Sequence, residues 1–219
     1  MGSISVNPKF ILFLFLIPIF LISLAVHEFL HALIAYRFGD STAKDLGKMT
    51  LNPFKHIDLI GTIFIPIAAF ASGIALIGWA KPVPINKDNF SNVRFADAVV
   101  SLAGPFSNFV LAFLFVTMIY IFPNFVLFSY FQQEILLRDL IIYGIYINVF
   151  LFVFNLLPIP PLDGVHILHA ILNNKITTRL TQMGFIGSLT LVLFIYSPLW
   201  KYFLSIVNFI VRIMIDPVI

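Results

Sequence analysis

The sequence predicts an all-α, polytopic membrane protein: a bundle of about five to six membrane segments, with a broken helix and a re-entrant or extended segment near a polar site. Three observations predict it. Of 219 residues, 60% are hydrophobic and 11% charged, whereas soluble chains are about half apolar and a quarter charged. Apolar stretches recur along the whole length, each able to cross a hydrocarbon core of about 30 Å, which takes roughly 20 helical residues. Within the first stretch, the ionisable residues gather in its second half.

These runs leave no room for a separate soluble domain, so a single transmembrane domain over 1–219 is expected. Its core lies at about 20–170, with C-terminal membrane segments at about 183–215. The 26 phenylalanines suit a lipid-facing exterior. Cysteine is absent, which removes disulfides, a thiol nucleophile and thiolate metal ligands. Any metal must then use histidine and carboxylate. The formal charge of +3 is scattered between apolar runs and makes no nucleic-acid footprint; the bilayer is the expected partner and nucleic acid is not. The first apolar run carries the most informative motif, so it is expected to be retained rather than removed as a signal peptide. Met1 to Val6 does not meet the myristoylation pattern.

In chain order, the first span runs from about Phe10 to Tyr36, interrupted by Pro18, Ser23, His27, Glu28 and His31. A polar connection, Arg37 to Asp58, precedes a second apolar segment from Leu59 to Gly78 that contains Pro66 and Gly73. The stretch Trp79 to Asn86 is proline-punctuated and reads as extended. A third segment spans about Phe95 to Phe122, a short loop follows from Pro123 to Glu134, and a fourth helix runs from roughly Ile135 to Leu157. It ends in prolines. Beyond Pro158 to Gly164 come a short helix to about Leu172, a basic polar loop with Lys175 and Arg179, and an apolar region from Met183 to Ile215. Pro198 and Lys201 divide that region into one span and an interfacial helix, or leave it as a single unit.

Cytoplasmic loops are enriched in Lys and Arg. Arg37, Lys44, Lys48 and Lys55 mark one such loop, and Lys81, Lys87 and Arg94 another. If both are cytoplasmic, the segment from Leu59 to Gly78 dips in and returns, or crosses and is brought back by the extended stretch. Irregular backbone at membrane depth is tolerated only where protein buries it or water lines it, so this stretch is expected to wall a cavity. The Pro123 to Glu134 loop then lies outside, and the Lys175 and Arg179 loop inside.

His27-Glu28-Phe29-Leu30-His31 is an HExxH pattern. On a helix it places two imidazoles one turn apart on one face, where both can bind one metal ion, with a glutamate beside them. Three ionisable groups within five residues of a membrane helix carry a heavy desolvation cost. A catalytic zinc commonly takes three protein ligands and keeps a fourth position open. Asp163 is the leading third candidate, because the prolines from Pro158 to Pro161 break the helix at a similar depth. Local spacing alone leaves it equally suited to capping the helix that starts near Gly164.

His27 to His31, together with Asn155-Leu156-Leu157-Pro158-Ile159-Pro160-Pro161-Leu162-Asp163-Gly164, resembles the paired HExxH and NxxPxPxxDG motifs of the site-2 protease family of intramembrane metalloproteases. Ala103-Gly104-Pro105-Phe106-Ser107-Asn108 resembles that family's GPxxN segment, so the likeness spans roughly residues 20 to 170. The resemblance implies one Zn2+ per chain held by His27, His31 and Asp163, with Glu28 as general base. It implies hydrolysis of peptide bonds in membrane-embedded substrates near the cytoplasmic face, in a bacterial or archaeal cell membrane. It favours Asp163 as ligand over cap. Asn155 is expected to hold substrate backbone or stabilise the developing oxyanion, with a helix-to-helix hydrogen bond as the alternative. Asn108 is expected to serve packing at a helix start.

The chain looks like a compact form of the family, without a PDZ domain. In larger relatives a strand near the site pairs with unwound substrate, and the resemblance implies that role for Lys81 to Asn86; an edge strand replaces the hydrogen bonds a helix gives up. His56 and Asp58 support the site or occupy the interface; His166 and His169 are not expected to bind a second metal. From another class, a transporter or metal-binding membrane protein would also place His and Asp inside the bilayer. No internal duplication favours it, and it has no need of Glu28. A scaffold that keeps the zinc fold without activity is the third reading.

Overall fold

A computed structural model describes residues 8–65, 67–68, 78–121 and 134–216. Its architecture is all-helical, with no β-strand among the described residues. Helix α1 spans Pro8–Arg37 and contains Pro18. A short α2, Thr42–Asp45, follows, then a 3-10 turn at Pro53–Lys55 and a π-helical turn at Leu59–Phe64. After extended chain and a second 3-10 turn, Lys87–Asn89, come α3 (Val93–Ile121), α4 (Glu134–Asn155), α5 (Asp163–Leu172), α6 (Lys175–Thr181), α7 (Gly184–Ile195) and α8 (Leu199–Ile215).

Among the described residues, three helical stretches are long and apolar enough to cross a membrane: Phe13–Arg37, Val93–Ile121 and Arg138–Asn155. A fourth is reached if Lys175–Thr181 and Ile186–Ile195, bent by 93° at their break, form one span. Ten-residue α5 is too short to cross. The Pro123 to Glu134 loop, apart from Glu134 itself, and the stretch holding Pro66 and Gly73 lie outside the described residues, as do Met1 to Asn7.

Inside a bilayer no hydrophobic drive separates helix from lipid, so helices associate through close packing and polar contacts. The sequence supplies both. α1 packs against α3 and α4, α3 against α4 and α5, and α8 against α4. Small residues line these seams: Ser23, Ala25, Ala32 and Ala35 on α1, and Ala96, Gly104 and Ala112 on α3, are buried. On the opposite side of α3, Leu102, Phe106, Val110, Phe113 and Leu114 are exposed, an apolar stripe that suits lipid and would be a liability in water. Behind the seam, Phe150, Phe154, Trp200 and Phe203 form an aromatic cluster, with Phe150 stacked on Phe154 at 5.2 Å and Trp200 on Phe203 at 5.0 Å.

Two local departures from expectation have plain causes. The basic loop expected around Lys175 and Arg179 is helix α6, because Asn174 caps it: its side chain accepts from the Ile176 and Thr177 amides while Thr177 returns a bond to the Asn174 amide. Such a reciprocal box satisfies amides that a helix start leaves unpaired. The chain from Lys81 to Asn86 is extended, as expected, but joins no sheet. Its amides are held individually, Lys81 by the His56 carbonyl at 2.8 Å and Asn86 by Asp40 Oδ2 at 2.8 Å. Just ahead of it, the Trp79 amide bonds to the Gly61 carbonyl at 3.1 Å and Thr62 Oγ1 to the Trp79 carbonyl at 2.8 Å. Gly61 permits this approach, since a Cβ there would lie 2.4 Å from the Trp79 ring. Residues 61–62 and 79 therefore sit side by side.

Candidate metal centre

His27 and His31 stand one turn apart on α1 and face the interior, with only 5% and 6% of their surface exposed. Their Nε2 atoms are 3.0 Å apart. Asp163, the first residue of α5, brings Oδ2 to 3.2 Å from His27 Nε2 and 3.3 Å from His31 Nε2. The three form the one group of this kind found among the described residues.

Hydrogen bonds on the far side of each ring decide what these atoms are. His31 Nδ1 lies 2.7 Å from the Val100 carbonyl oxygen, which only accepts, so Nδ1 carries the proton and Nε2 a lone pair. His27 Nδ1 lies 2.7 Å from Asn108 Oδ1. The Asn108 amide nitrogen donates to the Ser23 carbonyl and to Asn148 Oδ1, each at 3.1 Å, which fixes oxygen as the atom facing His27. His27 Nε2 is therefore also a bare acceptor. In the neutral imidazoles, two Nε2 lone pairs and a carboxylate oxygen then converge.

Such a convergence is relieved by a proton on one Nε2 or by a metal ion at its centre. Tetrahedral zinc, with nitrogen and oxygen ligands at about 2.0–2.2 Å, holds its ligand atoms roughly 3.3 Å apart, close to the separations here. The donor set fits the ion. Space is left as well: a Cβ on Gly104 would stand 2.2 Å from His31 Nε2 and 2.6 Å from His27 Nε2. Glycine at 104 keeps the floor of the site open.

Asp163 is not spent on capping. The cap position of α5 is Leu162, which makes no side-chain cap bond, and the carboxylate turns to the two histidines instead. A carboxylate in a first helical turn is favoured by the helix dipole. Gly164 lets α5 start hard against the end of α4, since a Cβ there would meet the Leu156 and Leu157 carbonyl oxygens at 2.3 and 2.4 Å.

Glu28, with 8% exposed, accepts a hydrogen bond from the Val83 amide at 2.8 Å through Oε2. The extended chain thus touches the candidate base directly. Asn155, the last residue of α4, donates from Nδ2 to its own helix at Leu151 O, 2.9 Å away, and makes no bond to another helix. Asn108, expected at a helix start, lies instead within α3 and orients His27, because α3 begins earlier, at Val93. His56 Nε2 bonds to the Thr50 carbonyl at 2.8 Å, and Asp58 caps the π-helical turn through the Ile60 and Gly61 amides. His166 bonds to Lys87 and His169 to Thr177; neither belongs to the three-residue group.

Sequence reasoning missed Asn148, the Val100 carbonyl and the Val83 amide. Only Asn148 had a signal, as the lone amide in an apolar run seven residues before Asn155.

Fold and site together define a helical membrane protein with an interior His–His–carboxylate centre beside a glutamate. The chain belongs to peptidase family M50, the site-2 protease family, whose profile matches residues 15–195. It is 38% identical to "Putative zinc metalloprotease YwhC" of Bacillus subtilis over 196 residues, 87% of this chain and 84% of that one. The Rip2 protein of Mycolicibacterium smegmatis, which bears the same zinc metalloprotease designation, is 32% identical over 89% of this chain and 72% of its own length. A shorter match, 44% over 69 residues, links 32% of this chain to 31% of MJ0611 of Methanocaldococcus jannaschii. No solved structure matches the chain.

Proposed function

We propose that this protein is a zinc-dependent endopeptidase of the membrane interior, with His27, His31 and Asp163 as metal ligands and Glu28 as general base. The observation that carries the reading is the meeting of three acceptor atoms, 3.0 to 3.3 Å apart, with proton-bearing Nδ1 atoms behind both imidazoles. Membership in a peptidase family favours hydrolysis over transport.

Zinc in this position would supply Lewis acidity, polarising a peptide carbonyl and making water acidic enough to attack near neutral pH. Glu28 takes the proton from the attacking water and hands it to the leaving amine. Val100 and Asn108 hold the two imidazoles in the tautomer that offers Nε2. Asn155, at the end of α4, would give up its bond to the Leu151 carbonyl to turn its amide to the substrate backbone or the developing oxyanion. Lys81 to Asn86 forms a wall against which unwound substrate lies, and the bond from Val83 to Glu28 keeps the base in register with that wall.

The substrates are membrane-embedded helices of proteins or peptides, cut near the cytoplasmic face, and the chain works as a single domain over 1–219. The basic segment from Arg37 to Lys55 follows the end of α1 nearest His31, which supports that orientation. The side-by-side placement of residues 61–62 and 79 supports a re-entrant path for the segment between them.

Detergent-purified protein is expected to hold about one zinc per chain, as a single catalytic site requires, and to cleave a helix-forming membrane peptide. Glu28→Gln should keep the zinc and lose the cleavage. Normal cleavage by Glu28→Gln would remove the proposed mechanism.

A further inference from the structure

Ten-residue α5 carries Asp163 at its start, and a helix this short does not hold itself together in isolation. It packs against α3, with Gly164 and Val165 fully buried. A set of polar contacts adds direction to that packing. Lys87 Nζ lies 2.9 Å from both carboxylate oxygens of Asp97 and 2.8 Å from His166 Nδ1. Asp97 is on the second turn of α3, and His166 is one turn beyond Asp163 on α5. The ammonium has donors only, so His166 accepts through Nδ1 and keeps its proton on Nε2; its 3.2 Å approach to Asp97 Oδ2 is then held by the lysine between them. One turn before Asp97, Arg94 reaches the far end of α5, with Nη2 on the Ile171 carbonyl at 2.9 Å and Nε on the Ala170 carbonyl. Those carbonyls belong to the last turn, where a helix leaves its acceptors unpaired.

We propose that Arg94, Lys87, Asp97 and His166 form a clamp that sets the rotation and height of α5, and so positions Asp163 for metal binding. They are positioning residues, and none touches the candidate ligand atoms. Apolar packing would hold a helix in place as well as a partly buried ion pair does. Directional bonds at two heights do something further: they fix where the first residue of the helix points. Lys87 also ends the extended stretch whose Val83 amide holds Glu28, so the same clamp ties wall, base and third ligand to α3.

This inference rests on the reading of Asp163 as a ligand, and the test separates the two. The full chain, purified in detergent and loaded with zinc, is mixed with a chelator, and zinc release is timed alongside thermal unfolding of the zinc-free form. Asp97→Asn and Lys87→Met are expected to release zinc about tenfold faster than the parent, as loss of a supporting shell does, with zinc-free unfolding temperatures near the parent's. Lys87→Arg should fall between. Parent-like release in both variants overturns the clamp, as does faster release that appears only where zinc-free stability has dropped with it. Should Asp97→Asn fail to fold, Lys87→Arg and Arg94→Lys carry the test: each is expected to speed release severalfold, and parent rates in both overturn the proposal. Asp163→Ala reports on the underlying reading. If it keeps zinc as the parent does, ligand and clamp fall together; if it loses zinc while the clamp variants match the parent, only the clamp falls.

Discussion

Single atoms decide this site. The Val100 carbonyl and Asn108 Oδ1 each take an Nδ1 proton, so both Nε2 atoms meet Asp163 as bare acceptors. Asn108→Ala removes the partner of His27 and leaves Asn148 without one of its bonds; zinc affinity is expected to fall by about 10- to 100-fold, measured by chelator competition. Gly104→Ala should cost more, because its methyl group would occupy the space within 2.6 Å of both nitrogens. The expected outcome is folded protein without bound zinc, read by metal analysis of the monodisperse fraction. The sequence made His27, Glu28 and His31 legible, since their spacing needs only a helix. Local spacing suits Asp163 equally to ligand and cap, and the structure shows why: Asp163 starts a helix and also faces the histidines. Gly104 is part of the GPxxN likeness, but its place against the two imidazoles is not legible there. Its role depends on how closely α3 approaches α1, and no local pattern encodes that distance.

Among the elements, the extended stretch departs furthest from its pattern. Prolines at 82 and 84 predict extended chain, and extended chain is found, but its register comes from contacts remote in sequence. Asp40, just past α1, accepts from the Asn86 amide, the Asn89 side chain and Thr42, stapling the end of the wall to the end of α1. Burial pushes the Asp40 carboxyl up, and the bonds from Thr42, Asn89 and Asn86 outweigh it, holding the carboxyl below its ordinary value. A group whose acidity is strengthened by folding stabilises the fold above its unfolded value, and that contribution fades as pH falls through the folded one. Asp40→Ala is accordingly expected to cost about 2 kcal/mol at neutral pH, the scale of hydrogen bonds to a charged group. Its unfolding temperature should converge on the parent's as pH drops below about 4. A constant gap across that range would remove Asp40 as the staple. The helix over Lys175–Thr181 was missed because Asn174 and Thr177 sit in a polar stretch that reads as a loop until the reciprocal cap is noticed.

For the molecule as a whole, the candidate site sits where the second half of α1, the middle of α3 and the start of α5 meet, near the end of α1 that the basic segment after Arg37 follows. The helices themselves were legible from apolar runs alone. The number of crossings was not, since the apolar region from Met183 to Ile215, divided by Pro198 and Lys201, reads as one membrane segment or two. The absence of cysteine makes orientation testable: single cysteines at Lys48 and at Lys87 should both react with a membrane-impermeant reagent from the cytoplasmic side, and reaction of either from the opposite side would reverse the proposed topology. The central claim is narrower, that one zinc is held by two imidazoles and one carboxylate. Zinc X-ray absorption of the detergent-purified chain tests it most directly. The account predicts two histidine nitrogens and oxygen ligands at about 2.0–2.2 Å, with an imidazole lost in His31→Ala; zinc with fewer than two imidazoles in the parent, or an unchanged spectrum in His31→Ala, would contradict it.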